Sequence, residues 1–128
     1  MGVVVSQLTV DAREPLALAQ WWAEVLGWRV VEEDVDEIAL QPPGDAATEW
    51  LFCRVPDAKQ VKNRLHVDLR PQDGSDQATE LERLRGLGAV PVDVGQGAEV
   101  TWHVLADPEG NEFCLLSRTP AELAADEA

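Results

Sequence analysis

The chain contains an internal repeat. When the sequence is shifted by 61 residues, the Leu-Gly pair at 26–27 aligns with the Leu-Gly pair at 87–88. The same shift aligns Phe-Cys at 52–53 with Phe-Cys at 113–114, without a gap between these landmarks. A repeat at one fixed spacing is the signature of a structural unit that is built twice. We therefore predict two equivalent units, at residues 3–55 and 64–117.

The apolar spacing gives the same order of elements in each half. In the first half we predict a strand at 3–10 and a helix that begins at Pro15 and ends at Gly27. Strands at 28–31, 37–40 and 49–55 follow. In the second half we predict a helix that is capped by Ser75 and ends at Gly88, between a strand at 65–69 and strands at 89–92, 100–106 and 111–117. Pro91 places strand 89–92 at a sheet edge, residues 107–110 form a tight turn, and the tail at 118–128 frays or forms a loose helix. The predicted class is α+β, with two tandem βαβββ modules.

Composition limits the function classes. The chain has 128 residues, of which 45% are hydrophobic, enough for one folded domain. Its net charge of −14 disfavours nucleic acid and anionic membranes as partners, because both repel an acidic surface. No apolar run is long enough to span a bilayer, and the N-terminus does not resemble a secretion signal. We expect a cytoplasmic protein with two reduced cysteines.

One predicted strand carries a polar face. Along residues 65–69 side chains alternate, so that His66, Asp68 and Arg70 share one side. A polar strand face within a small domain indicates a cavity or solvent. His66 could act as a general base tuned by Asp68, and Arg70 could hold a carboxylate or phosphate. The alternative is a hydrogen-bonded polar face without catalysis.

Three further residues are candidates for lining a pocket. Trp102 offers a flat apolar surface on which a ring could stack. His103 is adjacent to it on the opposite strand face, and Glu112 shares a face with Cys114. Each has a structural alternative: core filling for Trp102, a partly exposed structural histidine for His103, and a surface acid at a strand end for Glu112.

The sequence resembles a known family. Residues 21–28, 62–69 and 102–114, which include the Asp-Pro-x-Gly-Asn turn at 107–111, are similar to the first helix, the start of the second module and the closing hairpin of glyoxalase-like domains of the vicinal oxygen chelate superfamily. The resemblance implies a domain over residues 1–117 in which two modules form a curved mixed sheet around a central pocket, with the helices on the outer face. Because members often pair, it also implies a homodimer.

The resemblance also implies where a metal would bind. Metal-dependent members place ligands at positions that correspond here to Val5, Cys53, His66 and Cys114. Of these, only His66 has the residue type usual in the family. We therefore expect no stoichiometric metal and no other cofactor. If a divalent metal such as zinc binds, the resemblance assigns it to Cys53, His66 and Cys114.

These observations favour a small-molecule-binding protein that lacks the usual metal ligands and sequesters an apolar metabolite or drug. The alternatives are a lyase or isomerase that uses His66, with or without a divalent metal, and a structural or interaction module. The predicted ligand-binding residues are Val5, Gln7, Cys53, His66, Asp68, Arg70, Trp102, His103, Glu112 and Cys114.

Overall fold

The structure is a computed structural model that describes residues 2–45 and 47–127. The chain forms two compact units, of which the first ends at Ala58 and the second begins at Lys59. Each unit has the order βαβββ, which confirms the predicted modules. The first and last residues of the predicted domain and tail, 1 and 128, lie outside the described residues.

The first unit is a four-stranded sheet with one helix packed against β3 and β4. The sheet order is β1-β4-β3-β2, in which β1 is parallel to β4 and the other neighbours are antiparallel. The elements are β1 (Leu8–Ala12), α1 (Pro15–Leu26), β2 (Arg29–Asp34), β3 (Glu37–Gln41) and β4 (Trp50–Arg54).

The second unit repeats this topology. Its sheet order is β5-β8-β7-β6, again with the first strand parallel to the last. The strand β6 lies at the edge, as Pro91 predicted. The elements are β5 (Asp68–Leu69), α2 (Gln77–Gly86), β6 (Val90–Pro91), β7 (His103–Ala106) and β8 (Glu112–Leu115), followed by α3 (Pro120–Glu127).

The helix ends follow local chemistry. Pro15 is at the start of α1, and Gly27 ends it in the left-handed region with φ of 71°; both were predicted. In α2 the predicted cap was wrong: Asp76, not Ser75, accepts the Thr79 N–H at 2.8 Å. The Ser75 hydroxyl instead donates to Glu80 at 2.7 Å. A carboxylate one residue further along competed successfully for the free backbone donors.

Three predicted strands are displaced or shortened, of which the one predicted at 100–106 begins only at His103, so that Trp102 lies outside β7. Residues 3–7 lie outside β1, and Val3, Val4 and Val5 are 78–92% exposed, because β4 offers no partner before Trp50. Similarly, only the end of the predicted strand 65–69 is paired, and Leu65 is 88% exposed. High β propensity does not make a strand where no neighbour supplies hydrogen bonds.

The strand registers correct the repeat alignment. Asp11 lies opposite Cys53, and Asp68 lies opposite Cys114. Asp68 is therefore equivalent to Asp11, whereas the uniform shift paired it with Gln7. By the same register, His66 corresponds to Thr9 rather than to Val5. The cause is the connection between the first strand and the helix, which is longer in the second unit.

The core of each unit includes an equivalent phenylalanine. Phe52 on β4 is fully buried, and Phe113 on β8 is 1% exposed. They lie opposite Ile38 and Leu105 on the neighbouring antiparallel strands. Among the described residues, no helix is long and apolar enough to cross a membrane.

The turn between β7 and β8 is organised by a buried carboxylate. Asp107 is 4% exposed, and its Oδ1 accepts the backbone N–H groups of Glu109 and Asn111 at 2.9 and 3.0 Å. The Asn111 side-chain amide donates to Oδ2 at 2.9 Å. The Gly110 N–H closes the turn on the Asp107 carbonyl at 2.9 Å, which confirms the predicted tight turn.

Candidate small-molecule and metal site

The second unit contains a cavity of about 470 Å³. Its walls come from the segment that leads into β5, the loop after β6, and the strands β7 and β8. Strand alternation explains the division of side chains, because Cys114 and its partner Val104 point to the opposite face from Phe113 and Leu105. The lining residues are Lys62, His66, Asp68, Val94, Gly95, Gln96, Trp102, Val104, Glu112, Cys114 and Leu116.

Three side chains meet at one point of this cavity. His66 Nε2 lies 3.1 Å from Asp68 Oδ1, and both side chains are partly exposed. Cys114, which is 8% exposed, lies directly opposite Asp68 on the neighbouring strand. One ligand atom from each of the three residues lies within 4.8 Å of the other two. We call these residues the His-Asp-Cys cluster.

The cluster does not favour a nucleophilic cysteine. Burial raises the pKa of the Cys114 thiol, and the negative charge of Asp68 raises it further. A raised pKa keeps the thiol protonated at neutral pH, whereas nucleophilic cysteines require the thiolate.

Glu112 also lines the cavity, but other groups hold its carboxylate. Lys59 Nζ donates to Oε2 at 3.0 Å, and the Asn63 backbone N–H donates to Oε1 at 2.8 Å. Burial alone would raise the pKa of Glu112, but these hydrogen bonds and the lysine charge outweigh it and lower the pKa. Glu112 thus fastens the segment that carries His66 to β8.

We expect Glu112→Gln to lower the free energy of unfolding at pH 7 by about 1–3 kcal/mol, because the neutral amide offers the Lys59 and Asn63 donors one uncharged acceptor oxygen in place of two charged ones. A carboxyl whose pKa is depressed in the folded state contributes stability above its unfolded pKa of about 4.3 and loses it as pH falls through the folded value. The difference between wild type and variant should therefore shrink below about pH 4.3. Urea denaturation from pH 7 to 3 measures this, with Glu82→Gln on the exposed side of α2 as control. A difference that stays constant with pH would contradict the assignment.

The apolar wall centres on Trp102. It is the only tryptophan in the second half of the sequence and is 38% exposed. The other four pack on one another in the first unit, where Trp22 and Trp28 each lie edge-on to Trp50 and Trp21 lies edge-on to Trp22. These four serve the core of the first unit, whereas Trp102 is available to a ligand.

The other predicted site residues lie elsewhere. His103 is on β7 opposite Leu115, on the face away from the cavity. Arg70 donates to the Arg118 carbonyl at 2.8 Å and does not line the cavity. Val5, Gln7 and Cys53 belong to the first unit. The prediction that they bind the ligand is untested.

The site of Cys53 in the first unit resembles that of Cys114 without the imidazole. Burial raises the pKa of the Cys53 thiol, and the carboxylates of Glu37 and Asp11 raise it further. Thr9 occupies the position equivalent to His66, and the two histidines of the chain are both in the second half. The Asp–Cys pair is thus present twice, but the complete cluster is present once.

The donor atoms of the His-Asp-Cys cluster also indicate which metal these residues could hold. A donor set of imidazole nitrogen, carboxylate oxygen and sulfur suits zinc, whereas manganese and magnesium prefer oxygen ligands. The sequence alone missed Asp68 as a metal donor. It also missed six lining residues: Lys62, Val94, Gly95, Gln96, Val104 and Leu116.

Several solved structures share the fold of this chain. FosX, a fosfomycin resistance protein from Listeria monocytogenes complexed with Mn(II) and sulfate, matches with a TM-score of 0.72 and 14% identity over 100% of both chains. FosX from Mesorhizobium loti gives 0.67 and 17% identity over 98% of this chain and 99% of that one. A glyoxalase/bleomycin resistance protein/dioxygenase family enzyme from Burkholderia phytofirmans gives 0.65 and 15%, covering 86% and 94%. At these identities the likeness shows the fold alone.

The sequence itself shows the family to which the chain belongs. The model of the glyoxalase-like domain family matches residues 7–116. The chain therefore belongs to the glyoxalase-like domain family, as the resemblance of its helix, strand and hairpin motifs predicted. No curated protein sequence matches the chain.

Proposed function

We propose that the cavity of the second unit binds a small molecule with a flat apolar ring. The observation that carries the proposal is the cavity itself, in which an apolar wall of Trp102, Val104 and Leu116 adjoins the His-Asp-Cys cluster. Its volume of about 470 Å³ falls within the range typical of small-molecule sites. The ring would lie against Trp102, and a polar group of the ligand would hydrogen-bond to His66.

The proposed binding site favours sequestration of the bound small molecule. The cavity offers shape and apolar surface for retaining a metabolite or drug, and the Cys114 thiol is poorly suited to attack it. The homodimer and the cytoplasmic location expected from the sequence stay predictions.

Trp102→Ala is expected to weaken the binding of a small aromatic compound by about tenfold, because ring stacking and apolar burial together contribute roughly 1.4 kcal/mol. A panel of such compounds is screened by equilibrium dialysis, and the tightest binder is titrated. His103→Ala is the matched control, because His103 is the next residue but lies on the face of β7 away from the cavity. Equal affinity for wild type and Trp102→Ala would contradict the proposal, as would a panel without any binder.

A second candidate is a lyase or isomerase, which the His66–Asp68 pair favours. Nε2 of His66 lies 3.1 Å from Asp68 Oδ1, which leaves Nδ1 to take a proton from a ligand. Mass spectrometry of the bound compound after incubation distinguishes the two candidates. Conversion that His66→Gln abolishes indicates an enzyme, and recovery of the unchanged compound indicates a binding protein.

A further inference from the structure

We propose that His66, Asp68 and Cys114 form a zinc site within the second unit, with one coordination position open to the cavity. This goes beyond the proposed function, because stacking of a ring on Trp102 requires no metal. The site would be contained in one unit and would use Asp68, whereas the four positions that the family resemblance implies lie in both modules and do not include Asp68.

The distances between donor atoms are close to those that zinc requires. A tetrahedral ion with bonds of about 2.0–2.1 Å to nitrogen and oxygen separates those two atoms by roughly 3.3 Å. His66 Nε2 and Asp68 Oδ1 are 3.1 Å apart. All three donor atoms lie within 4.8 Å of one another, so that small side-chain rotations bring the sulfur into the coordination sphere. These rotations need no change in the paired backbone of β5 and β8.

The donor types select the ion. Thiolate and imidazole are ligands of zinc, and three protein ligands with one open position are the arrangement of catalytic zinc sites. Hard ions such as manganese prefer oxygen ligands. FosX, which has the same fold, is complexed with Mn(II), whereas the nitrogen and sulfur donors of this cluster favour zinc. On binding, the zinc–sulfur bond replaces the S–H bond of Cys114, and the proton passes to solvent.

The first unit provides an internal comparison for the proposed zinc site. Asp11 and Cys53 reproduce the Asp–Cys pair at the equivalent register in the first unit, with Thr9 in place of the imidazole. If an Asp–Cys pair alone were enough, both units would bind metal. Among the described residues, the imidazole lies beside Cys114 and not beside Cys53, and the donor atoms that lie within 4.8 Å of one another are those of the His-Asp-Cys cluster, so we expect a single site.

The test loads the full chain with zinc, dialyses it against metal-free buffer and measures the metal by elemental analysis. We expect about one zinc per chain. Cobalt loaded in place of zinc should give the near-ultraviolet charge-transfer band of a thiolate–cobalt bond. Cys114→Ser should lose both, and the matched variant Cys53→Ser should keep both. Circular dichroism of each metal-free variant monitors folding.

Should Cys114→Ser fail to fold, Asp68→Asn replaces it, since Asp68 is largely exposed and changes no core contact. Changes in groups that only orient ligands weaken metal binding by about 10–100-fold, so the loss of a direct ligand should weaken it at least as much. No zinc uptake, a preference for manganese, or equal loss in Cys53→Ser would overturn the proposal. Trp102→Ala should keep full zinc uptake, which separates this site from the binding of aromatic compounds.

Discussion

Replacing Phe113 with alanine is expected to lower the free energy of unfolding by about 3–5 kcal/mol. Phe113 is 1% exposed and packs beside Leu105 at the centre of the second sheet. Its removal loses the burial of the ring and leaves a cavity, because neighbours collapse only in part. Domains of this size have a total stability of about 5–15 kcal/mol, so the loss is a large share.

Urea denaturation followed by circular dichroism measures this effect. Phe113→Leu is the control, since a smaller change in volume should cost less than about 1.5 kcal/mol. A loss below about 1 kcal/mol for the alanine variant would contradict the packing described for β8.

Asp107→Ala is expected to lower the free energy of unfolding by about 2–4 kcal/mol, because it leaves the donors of Glu109 and Asn111 without their carboxylate acceptor inside the β7–β8 turn. Asp107→Asn retains one acceptor oxygen and should cost about half as much. Thermal or urea unfolding of the two variants provides the comparison.

An alanine variant within about 0.5 kcal/mol of wild type would show that water replaces the carboxylate. The expected loss would instead show that the Asp-Pro-x-Gly-Asn motif stabilises the turn between β7 and β8. The motif then identifies the fold of the hairpin and says nothing about its chemistry.

The repeated fold could be predicted because its landmarks have local causes. Gly27 and Gly88 both adopt positive φ, which favours glycine, and both follow a leucine at the end of a helix. Phe52 and Phe113 fill equivalent core positions. The exposed valines before β1 misled the prediction, because the limits of a strand depend on its partner.

One further local signal was available and unused. Thr119 and Glu122 form a capping box at the start of α3: the Glu122 N–H donates to Thr119 Oγ1 at 3.2 Å, and Glu122 accepts the Thr119 N–H at 3.0 Å. The Thr-Pro-x-Glu pattern of the tail predicts this helix without tertiary information.

The candidate site could be predicted only in part. Alternation placed His66 and Asp68 on one face, and placed Trp102 and His103 on opposite faces. Alternation could not show whether Trp102 or His103 faces the cavity, because the position of the cavity depends on the loop after β6. Asp68 lies opposite Cys114 because of the register between the parallel strands β5 and β8. A uniform shift of 61 residues does not predict this register, because the connection before α2 is longer than the one before α1.

The most direct test of the proposed function locates a bound compound by nuclear magnetic resonance. The protein is labelled with ¹⁵N, the indole signals are assigned with one Trp→Phe variant each, and small aromatic compounds are added. We predict that the signals of Trp102, His66 and the loop around Gln96 shift together, while the four indoles of the first unit stay in place. Shifts confined to the first unit, or none at any residue that lines the cavity, would contradict the central claim that this cavity is the binding site.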